Sequence, residues 1–461
     1  MTIWTPELGQ ARGPIYLAIA DALADDISRG VLGARARLPT HRDLAYRLGV
    51  TVGTVTRAYA EAERRGLVYG EVGRGTFVRG QAGTDHSFFL SGNEPPDRID
   101  LTLNFALGAE RDQALSRTLA EFARRPDIHR FLNYLPHRGM AEHRAAAAQW
   151  LGRMGLDVDS ERLIVTAGGQ HAMMTAFSAL CRPGDVVLCE QLTYAGMKAL
   201  ANHLELRLHG VAVDGHGIVP AALDAAIRAT HARIAYIQPT MQNPTAGMMP
   251  EARRREIAAL VQAHGVLLVE DDVYGPLPSR RLPPIASMAP ESVVYIMSTS
   301  KCMAPGLRIG YLAAPEALIE RLGMPVRASV WMAPPLEAEI ARTWMTDGTV
   351  ERIVGELRAE SVERQAMAAN ILGINAPPGD GCFLIWLPLP RGWRATEFVA
   401  ECARQGVDIS AADSFAVDPL PVPDAVRLCL GAPTSRAALE KGLGVVRNVL
   451  QGPPGRNLSV V

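Results

Sequence analysis

The stretch Ser298-Thr299-Ser300-Lys301-Cys302-Met303-Ala304-Pro305-Gly306-Leu307-Arg308-Ile309-Gly310-Tyr311 decides how the rest of the chain is read. It follows a short apolar run, residues 293–297, whose composition predicts a buried strand. Hydroxyls and one lysine therefore crowd onto a strand end, and an arginine follows seven residues after the lysine. Of the 47 lysines and arginines, only Lys198, Lys301 and Lys441 are lysines. Arginine supplies the generic positive charge, so a lysine kept among serines calls for a chemical reason. Arginine stays protonated, whereas a desolvated lysine can lose its proton and attack an aldehyde. A surface lysine in a Ser/Pro/Gly loop is the competing reading, and the remainder of the chain has to decide between them.

At 461 residues, 48% hydrophobic and 21% charged with a formal net charge of -1, the composition is that of a soluble protein with more than one domain. No run approaches the length and apolarity of a membrane span. Asp21, Asp25 and Asp26 interrupt any signal-peptide pattern near the start. The six cysteines, at 181, 189, 302, 382, 402 and 429, show neither metal-ligand spacing nor closely paired loops. Reduced thiols, a cytoplasmic location and no metal are the expectation. Between residues 35 and 79 basic residues outnumber acidic ones, so a nucleic-acid surface, if present, is local to the N-terminus.

Residues 14–29 predict a helix with Ile15, Ala18, Ile19, Leu23 and Ile27 on one side. Thr40 is a candidate N-cap, and Asp43 three residues later completes a capping-box pattern before Leu44, Ala45 and Leu48. Gly49 ends that helix. A third opens near Val50 and runs to about Arg65, with Val52, Val55, Tyr59 and Ala62 at helical spacing. Residues 67–69 and 76–78 then flank Gly73-Arg74-Gly75 as a hairpin. This order suits a helix-turn-helix with a wing. Arg42 and Arg74 are placed for phosphate or minor-groove contact, and Thr51, Thr54 and Arg57 for base edges. A small winged module that packs on protein would use the same elements.

The segment resembles the GntR-type winged helix-turn-helix. The matching residues are Leu38-Pro39-Thr40-His41-Arg42-Asp43-Leu44-Ala45, Gly49-Val50-Thr51, Val55, Tyr59, Gly66-Leu67-Val68 and Gly73-Arg74-Gly75-Thr76-Phe77-Val78. Departures fall at Thr40-His41 and at Gly53, which costs its helix roughly 1 kcal/mol relative to alanine and leaves room for a partner's approach. Residues 80–98 read as a linker, in which Phe88-Phe89-Leu90 is expected to dock on the following domain.

Beyond the linker, helices and short apolar strands alternate, which predicts an α/β domain with a mostly parallel sheet. Strands are expected at 162–166, 186–190, 204–208, 234–237, 266–269, 293–297 and 309–312. Functional loops should lie beyond their carboxyl ends. Gly168-Gly169-Gln170 at a helix start offers N–H groups and dipole to a phosphate. Residues 238–247 place Asn243 in a stiff loop between prolines, and Glu270-Asp271-Asp272-Val273-Tyr274 puts acids and a phenol after another strand. Ser298, Ser300 and Arg308 can hold a dianion. Each loop alone is an ordinary polar loop, but the set converges on Lys301.

That set resembles the cofactor site of fold-type I pyridoxal-phosphate enzymes, the aspartate aminotransferase superfamily. The resemblance implies pyridoxal 5'-phosphate held by Lys301 as an internal aldimine, with Asp271 on the pyridine nitrogen and Asn243 and Tyr274 on the ring hydroxylate. Tyr194 would stack on the ring. Gly169, Gln170, Ser298, Ser300 and Arg308 would surround the phosphate, with Tyr134 reaching in from the neighbouring subunit. Where the family shows Leu-Arg, this chain has His143-Arg144. Arg427 stands inside the apolar run 426–430, where a buried arginine needs a partner. Its place matches the family's arginine for a substrate α-carboxylate, and a structural ion pair is the alternative.

The two halves together resemble the MocR subfamily of GntR regulators. This implies a winged helix-turn-helix domain at 1–79, a linker at 80–98 and an aminotransferase-like domain at 99–461. The large part of that domain spans about 130–320 and the small part about 321–461 together with the N-terminal segment. The expected function is a homodimeric transcriptional regulator, head-to-tail in many relatives. It would bind paired half-sites on double-stranded DNA and sense an amino acid or related amino compound through external aldimine formation. The alternative is a PLP-dependent aminotransferase. Ligand exchange at Lys301 needs the same residues in both, so turnover stays open.

Overall fold

The computed structural model describes residues 4–6, 14–28, 31–32, 36–64, 67–71, 75–78, 98–105, 108–375, 381–417 and 422–453. Arg74 at the wing tip, linker residues 80–97 and the Phe88-Phe89-Leu90 docking segment lie outside them. The chain divides into two compact units, Met1–Asn93 and Glu94–Val461.

In the first unit, α1 (Ile15–Ser28), α2 (His41–Leu48) and α3 (Val52–Arg64) precede an antiparallel hairpin of β1 (Val68–Glu71) and β2 (Gly75–Val78). Ile19, Leu23, Leu44, Val55, Tyr59 and Val78 form its core. The Asp43 N–H donates to Thr40 Oγ1 at 3.2 Å, so Thr40 does cap α2. The rest of the expected capping box differs, because the Thr40 hydroxyl itself donates to Asp43 Oδ2 at 2.7 Å. Gly49 closes α2 with φ 63, a conformation that costs glycine little. Val52, expected in the buried stripe, is 45% exposed; it opens α3, and the turn from Gly49 leaves its side chain outside the core. Ile15, at the start of α1, is likewise exposed.

In the second unit the elements run β3 (Ile99–Asp100), α4 (Ala109–Phe122), α5 (Ala141–Arg153), β4 (Leu163–Thr166), α6 (Gly169–Leu180), β5 (Val186–Glu190), α7 (Ala195–His203) and β6 (Arg207–Val211). A short hairpin follows, β7 (Val213–Asp214) with β8 (Gly217–Ile218), then α8 (Pro220–Thr230), β9 (Ile234–Ile237), α9 (Glu251–His264), β10 (Leu267–Asp271), α10 (Ile285–Met288), β11 (Val293–Ser298) and β12 (Gly310–Ala313). The remainder is α11 (Glu316–Ser329), α12 (Pro335–Thr346), α13 (Thr349–Leu372), β13 (Leu384–Pro388), α14 (Ala395–Arg404), β14 (Val407–Asp408), β15 (Ser410–Ala411), β16 (Ala425–Cys429) and α15 (Arg436–Gln451).

Seven strands form one sheet in the order β4-β12-β11-β10-β9-β5-β6. β6, β5, β9, β10 and β11 pair in parallel, while β12 is antiparallel to both β11 and β4. The connection from β11 to β12 carries only a single 3-10 turn, Pro305–Leu307, and no crossover helix, so it can join only antiparallel neighbours. β11 shows why its sequence is continuously apolar: Val294 and Ile296 face one core, Val293, Tyr295 and Met297 the other. The strand expected at 204–208 starts later, because α7 runs to His203 and Glu205 turns the chain with φ 55.

Register aligns the strand ends that matter. Ser298 pairs with Gly310, and Gly310 with Thr166, which brings the loops after β4 and β11 side by side. Gly310 is needed there, since a Cβ would lie 2.7 Å from the Gly168 carbonyl carbon. A second sheet, β13-β16-β15, is antiparallel. β14 pairs with β3, so the start of this unit packs with its C-terminal part. Among the described residues no helix is long and apolar enough to cross a membrane.

Candidate functional site

The loops after β4 and β11 build an anion cradle. The Gly169 N–H, at the first residue of α6, donates to Ser298 Oγ at 3.4 Å, and Ser298 Oγ donates to Ser300 Oγ at 3.1 Å. Arg308 completes the group, donating to Ser300 Oγ at 3.3 Å, Pro305 O at 3.4 Å and Ala167 O at 3.4 Å, all uncharged oxygens. It adopts φ 48, and its guanidinium fills the space beside Gly168, where a Cβ would sit 2.5 Å from Nη2. Two hydroxyls, a helix N-terminus and an arginine without a charged partner in these bonds match a phosphate. Gln170 was expected to contribute through its backbone N–H at the helix start, and its side chain is engaged elsewhere. Its Nε2 donates to Gly196 O at 3.1 Å, so the side chain turns toward α7 and away from the cradle.

Lys301 follows Ser300 and is half-buried. Its Nζ donates to the carbonyl oxygen of Asn104 and lies 5.9 Å from the Tyr274 ring centroid. Burial lowers its pKa to about 8, which leaves an appreciable neutral, nucleophilic fraction near neutrality. Asn104 also donates from Nδ2 to Tyr274 Oη at 3.1 Å, so one residue holds both the amine and the phenol.

Asp271 ends β10 and is buried. Its Oδ2 accepts from Tyr236 Oη at 2.6 Å and Gln238 Nε2 at 2.9 Å, while Oδ1 takes only the Val273 N–H at 3.4 Å. Burial pushes its pKa up to about 6 despite these bonds, so a nearby cation would stabilise its charge. Asn243 is buried next to a cis bond to Pro244, and its Oδ1 accepts from Arg427 Nη1 at 2.9 Å. Tyr194 precedes α7 with its ring packed on Gly196, and the charges of Asp271, Arg427 and Arg308 all act on its hydroxyl.

Arg427 lies in β16 and is buried. Besides Asn243 it donates from Nη2 to Thr102 O and to Ser410 Oγ at 3.1 Å, and its guanidinium sits 4.7 Å from the Phe415 ring centroid. These partners are uncharged, and Nε has no hydrogen-bond partner among the described residues. A structural ion pair is therefore not formed there among the described residues.

Tyr134 does not join this group. It is 83% exposed, beside Trp331 at 5.5 Å between ring centroids. Sequence reading missed Asn104, Tyr236, Gln238, Thr102, Ser410 and Phe415. Only Tyr236 and Gln238 carried a signal, since alternation from β9 puts them on one face with the strand end.

In the N-terminal unit Arg42 and Arg57 are exposed and Thr54 is half-buried. Thr51 is exposed too, but its Oγ1 accepts the Thr54 N–H at 3.2 Å and meets Thr54 Oγ1 at 2.9 Å. It caps α3, so a base contact from Thr51 would have to share that hydroxyl. Tyr46, 89% exposed, and Val52 also face solvent near this surface and were not anticipated. Replacing Arg42 with alanine should weaken DNA binding evenly across sequences and reduce the salt slope by about one. Arg57→Ala should also relax base preference, by about 1–3 kcal/mol at one position. Selection from a random duplex pool, followed by salt titration, reads both, and unchanged slopes and preferences would rule these contacts out.

Residues 96–446 match the family model for aminotransferase class I and II, and residues 15–78 match that for bacterial regulatory proteins of the gntR family. The chain is 29% identical to the uncharacterized HTH-type transcriptional regulator YdeF of Bacillus subtilis, over 97% of this chain and 96% of that one. It is 27% identical to the vitamin B6 salvage pathway transcriptional repressor PtsJ of Salmonella typhimurium, over 87% and 90%. Among solved structures, LysN, an alpha-aminoadipate aminotransferase from Thermus thermophilus complexed with N-(5'-phosphopyridoxyl)-L-leucine, superposes with a TM-score of 0.68 at 23% identity. That match covers 77% of this chain and 92% of LysN, and it shows a shared fold.

Proposed function

Since the chain belongs to the class I and II aminotransferase family and has the MocR-type fusion to a GntR module, we propose that it is a transcriptional regulator that binds DNA through the N-terminal module. In this reading it holds pyridoxal 5'-phosphate at Lys301 and senses an amino acid or a related amino compound there. The observation that carries it is the convergence of an amine, an anion cradle and a buried carboxylate beyond the carboxyl ends of β4, β10 and β11, in a chain that also carries a DNA-binding module.

The residues present fit the cofactor. Arg308, Ser298, Ser300 and the Gly169 N–H suit its phosphate, and Asp271, with Oδ1 almost unengaged, suits a protonated ring nitrogen. Asn243 and Tyr274 would hold the ring oxygen and Tyr194 the ring face. When bound, the group supplies an aldehyde that exchanges one amine for another and a ring that withdraws electrons. Lys301 is the amine that must give way to a ligand and afterwards hold or return a proton at Nζ; Asn104 O steadies it meanwhile. Arg427 binds the ligand's carboxylate, bringing β16 and the sheet loops onto one small molecule. For this to alter transcription, the ligand must favour one conformation of the regulator over another.

A homodimer on paired half-sites is part of this reading. The exposed Tyr134 and Leu132 support a subunit contact through which Tyr134 reaches the partner's site. Turnover as an aminotransferase is the second reading, favoured by the intact group of Lys301, Asp271 and Arg427. Borohydride treatment of the cofactor-loaded protein should leave a phosphopyridoxyl label on Lys301. A label found by mass spectrometry on Lys198 or Lys441 instead would refute the cofactor assignment.

A further inference from the structure

Asp271 is held asymmetrically. Tyr236 and Gln238 both donate to Oδ2, at 2.6 and 2.9 Å, while Oδ1 has one N–H at 3.4 Å. Tyr236 is fully buried on β9, opposite Val269 and therefore diagonal to Asp271 on the same face of the sheet. The orientation of the Gln238 amide is forced. Its Oε1 accepts the Asn243 N–H at 3.3 Å, so Nε2 must point at Asp271. Its own N–H donates to Glu190 Oε1 at 2.8 Å, which pins the start of the loop. One side chain thus ties the carboxylate of β10 to Asn243, the residue that meets Arg427.

We propose that Tyr236 and Gln238 are positioning residues that hold Asp271 ionised through Oδ2 and leave Oδ1 for the cofactor's ring nitrogen. This rests on the reading that Asp271 meets that nitrogen. Both donors favour the charged carboxylate, and so oppose the burial that would protonate it. The other titratable groups acting at this point are Glu190, Asp272, Tyr194 and Lys301. Glu190 adds little charge near neutrality, because burial raises its pKa to about 8. Lys301 is the one cation among these four.

Without one donor, Asp271 keeps its proton to a higher pH, and a protonated carboxyl no longer pairs with a pyridinium. The probe is pyridoxamine 5'-phosphate, which lacks the aldehyde and so reports non-covalent binding. Calorimetric titration of the full chain across pH should show Tyr236→Phe and Gln238→Leu each weakening binding on the order of tenfold at neutral pH. The acid limb of affinity should move up by about one pH unit in each. Gln238→Glu, which keeps the volume and sets a second carboxyl against Asp271, should move it further. A purely structural role would lower unfolding midpoints without moving the limb, and that result, in Tyr236→Phe above all, would overturn the proposal. Asp271→Asn separates the two readings. If it weakens binding while the other variants leave the limb in place, only the positioning role fails. If it binds like the wild type, the pairing of Asp271 with the ring nitrogen fails as well.

Discussion

Arg427→Ala should keep the cofactor and basal DNA affinity but lose the spectral response to amino carboxylates. The guanidinium is buried, its partners are an amide oxygen, a carbonyl, a hydroxyl and an aromatic face, and Nε has no hydrogen-bond partner among the described residues. A planar carboxylate would supply the charge and the acceptor that these partners do not. None of the cradle hydrogen bonds around Ser298, Ser300 and Arg308 involves Arg427, so the cofactor's phosphate contacts should survive. Loss of a desolvated pair of this kind costs about 2–5 kcal/mol in ligand affinity. Amino acids and simple amines titrated against the cofactor's visible absorbance in both proteins test this. Equal amino-acid affinities in wild type and variant would remove Arg427 from recognition. A response to simple amines alone would remove the amino-acid effector.

Glu339→Ala should strongly destabilise the second unit. Glu339, on α12, is buried and accepts from Arg342 Nε at 2.8 Å, Arg342 Nη2 at 2.7 Å and Arg125 Nη1, with His143 Nε2 at 3.0 Å. Removing the carboxylate takes the acidic partner from Arg342 and His143, while Arg125 keeps its pair with Asp127, at a cost of about 3–5 kcal/mol. Urea denaturation followed by tryptophan fluorescence would measure it, and a loss below about 1 kcal/mol would refute the role. Burial pushes the Glu339 pKa up, but the hydrogen bonds from Arg342, His143 and Arg125 outweigh it and hold the carboxyl well below the ordinary carboxylate range. A depressed folded-state pKa means that the stabilisation is fully present above the unfolded value of about 4.5 and is lost as pH falls below it. The acid limb of stability should therefore be shallower in the variant. Arg125 also packs on Phe122 and Phe131, just before exposed Leu132 and Tyr134, so the same carboxylate anchors the segment assigned to the subunit contact.

The His143 that departs from the family pattern is thus one of the Glu339 partners. From sequence it was a mismatch with no visible counterpart, because Glu339 lies far along the chain on another helix.

Local chemistry made the architecture readable in advance. A short continuous apolar run such as 293–297 reads as a strand buried on both faces, and it lies within one. Gly49 and Thr40 mark the ends of α2 by backbone freedom and capping, both properties of single residues. The scarcity of lysine singled out Lys301, and an arginine inside an apolar strand singled out Arg427. What the sequence determined, then, was element type, sheet class and the residues whose chemistry is unusual where they stand. Tertiary structure alone decided which of them meet. The register of β11, β12 and β4 sets Arg308 beside Gly168 and Ser300, while Gln170, adjacent in sequence to Gly169, turns away. Asn104 reached Lys301 across a contact that leaves no periodic trace in the chain, and alternation along β9 put Tyr236 and Gln238 on one face without showing that they meet Asp271. The reason is physical: propensity and capping act over a few neighbouring residues, whereas hydrogen bonds between distant side chains exist only once strand register and loop packing have fixed their distances.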